Sequence, residues 1–226
     1  MSFSKRVGTV LAPRVTHLAP GLTSSFVHQA LDKAITGVGP LPSAASAADK
    51  QLAEQHGDVE RGIHEVIENH VRYAGAQGFL TNIGGLVTMA VTVPVNLSGL
   101  ALIQCRMVAG ISHLRGYDLA DPRTRDAILA CLLGEEKILR MVKSRALPGT
   151  PMEIAAAAAH DPALDQRLGT EVASELVARA TGKRLAATVG RRVPVVGGVV
   201  GAGTDAFVTW KIGRYVDREF LPRKRR

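Results

Sequence analysis

The sequence has few aromatic residues and little cysteine. Phe, Trp and Tyr make up 4% of its 226 residues, although the apolar fraction is 46%. A core with so few rings must be built from Ala, Val, Leu, Ile and Gly, which favours closely packed helices. The two cysteines, Cys105 and Cys131, lie in apolar surroundings and are predicted to be reduced core thiols. A secreted domain of this size more often carries several cysteine pairs.

The alternation of polar and apolar residues that is typical of a half-buried strand is also missing. Helical spacing recurs instead, and two apolar faces are clear. One consists of Ile63, Val66, Ile67, His70 and Val71, and the other of Leu100, Ile103, Met107, Val108, Ile111 and Leu114. We therefore predict an all-α fold, a single multi-helix bundle around two glycine-rich apolar segments.

The first of these segments is Tyr73–Cys105, which contains no charged residue and has an arginine on either side. It is long enough for a membrane span, which needs about 20 apolar residues, but Pro94 and paired glycines divide it. The second segment is 194–203. The glycines predicted to mediate helix packing or membrane contact are Gly84, Gly85, Gly197, Gly198 and Gly201.

The N-terminal 50 residues differ in composition from the rest. We interpret 1–50 as a basic arm, a short helix over 21–35 and a linker over 37–50, followed by a helical domain over 51–226. The apolar run 7–12 is too short for a signal peptide. We expect a cytoplasmic location, peripheral to the inner face of the cell membrane.

Helix-start signals are strong in the C-terminal half. Asp121 precedes Pro122 as an N-cap, and Thr150 with Glu153 forms a capping-box pattern. Asp161 and Pro162 repeat the first device. The predicted helices of this half cover 122–133, 135–145, 170–189 and 204–220.

The sequence lacks the common catalytic motifs. His64-Glu65 opens the zinc-protease pattern, but Glu68 replaces the second histidine. His70 is interpreted as a hydrogen-bonded core residue. The glycines after Pro194 reverse the dinucleotide-binding spacing and follow no strand. We assign no catalytic residue, no cofactor and no metal.

The formal charge of the chain is +8, and basic residues concentrate in its C-terminal third. They would form a solvated basic face or contact anionic lipids. Nucleic acid is not predicted as a partner, because no recognition motif or stacking aromatic cluster accompanies the charge. The sequence does not indicate an oligomeric state.

Four ordered motifs between residues 78 and 220 resemble those of the EcsC family of bacterial proteins. They are Thr81-Asn82-Ile83-Gly84-Gly85, Pro94 to Leu97, Gly116-Tyr117-Asp118 and Pro194 to Gly201. The resemblance implies a bacterial helical protein that works near a membrane, and it supplies no established activity. Family members often carry Asp at the position of Asn96 and Asn at the position of Asp205. The resemblance therefore assigns no ligand role to Asn96 or Asp205.

Two hypotheses for the function follow. In the first, the chain is a non-enzymatic accessory protein that associates with an anionic membrane surface or with a membrane protein complex. In the second, it is a soluble all-α protein whose apolar cavity binds or processes a lipid-like or peptide ligand. The candidate polar groups for that ligand are Arg106, His113, Tyr117 and Asp118.

Overall fold

The computed structural model describes residues 24–83, 89–189 and 194–223, with side chains over 24–77, 99–179 and 203–223. These residues form nine α-helices and no strand, which confirms the all-α prediction. The helices are α1 (Ser24–Thr36), α2 (Ala44–Glu54), α3 (Val59–Ile83), α4 (Met89–Leu114), α5 (Pro122–Leu132), α6 (Glu135–Lys143), α7 (Pro151–Ala156), α8 (Pro162–Val189) and α9 (Pro194–Glu219).

Helix α4 is the centre of the bundle. It packs against α1, α2, α3, α5, α8 and α9, and from Gln104 to Ser112 every residue is buried. A helix that is apolar nearly all round is expected in a core. Two of the candidate polar groups, Arg106 and His113, lie on the side of this helix that α2 and the loop before it cover. The predicted apolar stripe is therefore only part of a helix that is buried all round over this stretch.

Helices α3 and α9 make the most extensive contact in the bundle and run antiparallel. Gly213 of α9 faces Ile67 of α3, and a Cβ atom added to Gly213 would lie 3.0 Å from two Ile67 side-chain atoms. Further along the same contact, Arg115 at the end of α4 binds both Glu60 of α3 and Asp217 of α9. The absence of a side chain at Gly213 therefore sets how closely these two helices approach.

Helix α2 lies where the sequence analysis placed a linker. Ser43 caps it by accepting a hydrogen bond from the Ser46 amide at 3.1 Å. Ala44 and Ala48 are buried, and Ala48 packs against Gly110 of α4. Alanine has the highest helix propensity, and contact with α4 adds to it, so the loop is confined to 37–43. Residue 50 lies inside this helix, and a division of the chain at this point stays a prediction.

Helices α8 and α9 begin before the predicted residues 170 and 204, and the start signal at Asp161 and Pro162 belongs to α8 itself. Helix α3 continues through the glycines to Ile83, α8 begins at Pro162, and α9 begins at Pro194. The predicted starts of α5 and α7 are confirmed. Asp121 accepts from the Arg123 amide at 2.9 Å, and the capping box of Thr150 and Glu153 is formed.

Both cysteines are free and fully buried, as predicted. Burial raises the pKa of the Cys105 thiol to about 12, which suits a packing role. Among the described helices, none combines the length and the apolar character that a membrane crossing needs.

Candidate functional site

The four candidate ligand residues of the α4 region each have an intramolecular partner. Arg106 is buried and donates from Nη1 to the Pro42 carbonyl oxygen at 2.6 Å. The His113 Nε2 atom lies 2.9 Å from Asp49 Oδ1. Both contacts fasten α4 to α2 and to the loop before it.

The other two candidates lie beyond the end of α4. The Tyr117 and Phe220 rings are nearly perpendicular, with their centroids 4.7 Å apart, and the Arg223 guanidinium lies 4.1 Å from the Tyr117 centroid. Asp118 accepts from the Ala120 amide in the turn that leads to α5. The four residues therefore contact three different parts of the fold and do not line one pocket together. Their role in ligand binding stays a prediction.

The glycines predicted to pack helices or touch a membrane lie mostly outside what the structure describes. Gly84 and Gly85 fall in the undescribed segment 84–88. Gly197, Gly198 and Gly201 lie in the first turns of α9, where only the backbone is described. Their role stays a prediction.

The histidines of α3 behave as the sequence indicated. His64 Nε2 pairs with Glu68 at the surface, 2.9 Å away. His70 donates from Nδ1 to the Val66 carbonyl oxygen at 2.7 Å. Burial, together with the charge of Arg106, lowers the pKa of His70 to about 4. His70 is thus a hydrogen-bonded residue that the fold keeps neutral.

A different group of residues has the geometry of a ligand site, and we call it the Asp126 cluster. It consists of Asp126 from α5, His160 from the segment before α8, and Asp165 from the first turn of α8. Each offers one ligand atom, and these atoms all lie within 4.8 Å of one another. The His160 Nε2 atom is 3.3 Å from Asp126 Oδ2. The sequence analysis missed this cluster, because it joins residues that are distant along the chain.

Asp126 is the buried member of the cluster. It is 2% exposed, and no N–H or hydroxyl donor of the described residues reaches its Oδ1 atom. Burial raises the pKa of Asp126 to about 8. A hydrogen bond between the carboxyl groups of Asp126 and Asp165 and the charges of Asp165 and Asp161 add to this shift, and the weaker charge of Arg125 opposes it. The carboxyl groups of the cluster therefore lie too close together, and Asp126 too deep, for all of them to ionise at neutral pH without a cation beside them.

A second layer holds Asp165 in place. The Nε2 atom of His28 in α1 lies 2.7 Å from Asp165 Oδ1. The Nδ1 atom of the same ring lies 2.7 Å from the Ser24 carbonyl oxygen. His28 and Asp165 also line an open cleft of about 720 Å³ between α1 and α8, whose lining residues are all polar. The cluster thus has a buried end at Asp126 and an end that opens to solvent.

A second surface stands out on α9, and we call it the α9 outer face. It comprises five exposed residues, Phe207, Trp210, Lys211, Arg214 and Arg218. The last four follow Phe207 by three, four, seven and eleven residues, and this spacing places all five on one side of a helix. Phe207 and Trp210 are stacked, with centroids 6.1 Å apart and planes 21° apart. The Lys211 ammonium lies 5.9 Å from the Phe207 centroid. Aromatic and basic groups are therefore presented together to solvent.

The comparisons with known proteins place the whole chain in one family. The family model described as the EcsC protein family matches residues 2–226. The chain belongs to the EcsC protein family. No curated protein and no solved structure matches it.

The EcsC match extends the resemblance noted from the motifs. Those motifs lie between residues 78 and 220, whereas the family match begins at residue 2. Helices α1 and α2 are thus part of the EcsC unit, and so is His28. Of the two positions that depart from the family pattern, Asn96 lies outside the described side chains, and Asp205 is buried in α9.

Proposed function

We propose that this EcsC-family protein is an accessory protein that associates peripherally with an anionic membrane surface through the α9 outer face. The stacked pair of Phe207 and Trp210 is the main support. The two rings are 58% and 47% exposed in a chain with few aromatic residues. Amphipathic aromatic rings are favoured at the headgroup level of a bilayer, and neighbouring basic residues add attraction to anionic lipids.

The cations of this face are available to lipid phosphates. Lys211 pairs with Glu136 and Arg218 pairs with Glu135, both at exposed positions on α6. Exposed ion pairs contribute only about 0–1 kcal/mol, so phosphate groups can replace these carboxylates at little cost. The formal charge of +8 attracts the chain to an anionic surface from a distance.

The alternative of an apolar ligand cavity has weaker support. The described cleft between α1 and α8 is lined by polar side chains, and the four residues assigned to that ligand do not meet. The apolar groups that face solvent on α9 fit a surface contact better than an enclosed ligand.

The sole tryptophan of the chain, Trp210, provides a direct test. Vesicles of phosphatidylcholine alone, or mixed with phosphatidylglycerol, are titrated into the full-length protein. A blue shift of the tryptophan emission with the anionic vesicles, reversed by salt, is the expected result. Sedimentation with the same vesicles gives the partition coefficient.

Variants then locate the contact. The triple variant K211Q/R214Q/R218Q is expected to lower partitioning on the order of 100-fold, since each basic residue near the surface contributes about 1 kcal/mol. F207S keeps Trp210 as the fluorescent probe. It is expected to weaken vesicle binding relative to the wild type, most clearly at high salt, where the electrostatic attraction is screened. L41S alters an exposed leucine in the loop before α2 and serves as the matched control.

Two results would overturn the proposal. If the wild-type protein neither sediments with anionic vesicles nor shifts its emission, membrane association is wrong. If it binds and the α9 variants bind equally well, the contact lies elsewhere, with the basic N-terminal residues as the next region to alter.

A further inference from the structure

The Asp126 cluster has the ligand chemistry of a metal site. Two carboxylates and one imidazole come from three separate parts of the fold, with ligand atoms within 4.8 Å of one another. Ligands held at about 2.0–2.2 Å from a metal ion lie about 3–4 Å apart, so only small side-chain adjustments are needed. Carboxylate and imidazole together suit first-row divalent transition metals better than Ca²⁺ or Mg²⁺, which prefer oxygen alone.

The unpartnered Oδ1 atom of Asp126 separates this cluster from an ordinary ion-pair network. The pair of His160 with Asp126 involves Oδ2 only, and His28 serves Asp165. Oδ1 remains buried without a donor. A buried carboxyl group beside a second carboxyl group is driven to keep a proton, and a cation bound among these three side chains would displace that proton and allow both groups to ionise.

The surroundings match what metal sites require beyond their ligands. Carboxylate ligands are usually oriented by hydrogen bonds from a second layer, and His28 holds Asp165 in this way while it is itself fixed against the Ser24 carbonyl. Asp165 also lines the open cleft between α1 and α8, so one of the three ligands is accessible from solvent. Three protein ligands with one open side leave coordination positions for water, as in sites that are not purely structural.

From these observations we infer that Asp126, His160 and Asp165 bind one divalent transition-metal ion, of the class of Zn²⁺ or Mn²⁺, with His28 as a positioning residue for Asp165. The remaining coordination positions face the α1–α8 cleft and hold water. The inference is independent of the proposed membrane contact, since α9 contributes no ligand.

Metal titration of the full-length protein tests the inference. The protein is stripped with a chelator, and Zn²⁺ and Mn²⁺ are added in separate calorimetric titrations, with elemental analysis for the stoichiometry. One ion per chain is expected, together with a rise in melting temperature on addition of the ion. Co²⁺ gives a second readout, because visible absorption bands of the bound ion report imidazole and carboxylate ligation.

Substitutions of similar size assign the ligands. D126N, H160Q and D165N are each expected to weaken binding at least 100-fold and to abolish the metal-dependent rise in melting temperature. H28Q is expected to weaken binding about 10–100-fold with the stoichiometry unchanged. D49N is the matched control, since Asp49 forms a His–Asp pair with His113 elsewhere in the fold, and it should bind like the wild type.

The outcomes are distinct. If D126N fails to fold, D165N still decides, because Asp165 lies at the open end of the cluster and its side chain is partly exposed. If Zn²⁺, Mn²⁺ and Co²⁺ all bind the wild type no more tightly than they bind D165N and H160Q, the inference is wrong. The carboxyl groups of Asp126 and Asp165 then share a proton instead of a metal ion. Vesicle binding by D165N should equal that of the wild type, which keeps this test separate from that of the α9 outer face.

Discussion

The guanidinium of Arg115 donates from Nη2 to Asp217 Oδ1 at 2.7 Å and joins the end of α4 to α9. The Arg115 side chain is only 7% exposed, and its other terminal nitrogen, Nη1, binds Glu60 of α3. The Arg223 amide donates to the Arg115 carbonyl oxygen at 2.7 Å. One buried arginine thus fixes α3, α4, α9 and the start of the C-terminal tail to one another.

Removal of this arginine is expected to destabilise the bundle strongly. R115M keeps the apolar stem but leaves Asp217, which is 17% exposed, without its main partner. We expect a loss of about 2–3 kcal/mol in the free energy of unfolding, because a partly buried charge loses its compensation. Urea denaturation monitored by circular dichroism measures the change.

The neighbouring residue Arg214 provides the control for this prediction. It contacts the other oxygen of Asp217 at 3.4 Å from an exposed position. R214Q should cost less than about 1 kcal/mol, as exposed ion pairs do. Equal losses for R115M and R214Q would show that burial of Arg115 contributes nothing beyond a surface pair.

Gly57 and Gly116 have the same backbone conformation but different surroundings, so alanine substitutions at these two positions distinguish backbone strain from steric conflict. Gly57 has φ +84° and Gly116 has φ +85°, a region in which a residue with a Cβ atom costs about 1–2 kcal/mol. Around Gly57 a Cβ atom would meet nothing within 4 Å, whereas at Gly116 it would lie 2.5 Å from the Arg223 carbonyl oxygen. G57A is expected to cost about 1 kcal/mol and G116A about 3 kcal/mol or more, as measured by urea denaturation.

The response of G116A also reports on the tail. Relief of the conflict requires Arg223 to move, and its guanidinium would then leave the Tyr117 ring. If G116A costs no more than G57A, the contact between the turn and the tail is too loose to matter for stability.

The sequence predicts the helical class of this fold well, because polar N-cap residues mark where several helices begin. Asp121 and Thr150 start helices where they were expected, since a side-chain cap is a local interaction. The starts of α2 and α9 were missed, because alanine- and glycine-rich stretches have a weak local signal and depend on packing. Local propensity alone does not contain that information.

The Asp126 cluster was missed for a related reason. The short stretch His160-Asp161-Pro162 was interpreted as a helix cap, and Asp161 does accept from the Ala163 amide at 2.9 Å. Nothing in the sequence relates that stretch to Asp126 of α5 or to His28 of α1. Only the packing of α8 against both helices brings these side chains together.

Both cysteines should be inert in the native protein. Burial raises the pKa of Cys105 to about 12 and raises that of Cys131 well above its usual value, so almost no thiolate is present at neutral pH. We expect labelling by Ellman's reagent to be slow under native conditions and rapid for both thiols in concentrated urea. Fast reaction of either thiol in the native state would mean that its surroundings open frequently.

The acid sensitivity of the bundle should depend on His70. Its pKa is about 4 in the folded protein and about 6.5 in the unfolded chain, so below pH 6.5 the unfolded state takes up the proton first. The stability that the neutral ring contributes is complete above pH 6.5 and is lost as the pH falls towards 4. The expected loss at pH 4.5 is about 2–3 kcal/mol relative to pH 7.

The variant H70Q isolates this contribution, because glutamine can still donate to the Val66 carbonyl oxygen and does not titrate. Urea denaturation at pH 7 and pH 4.5 should show a smaller pH-dependent loss for H70Q than for the wild type, by about 2–3 kcal/mol. H64Q is the control, since His64 is exposed beside Glu68 on the same helix, and its pH dependence should follow the wild type. If H70Q and the wild type lose equal stability over this interval, the His70 ring is protonated in the folded protein with little penalty.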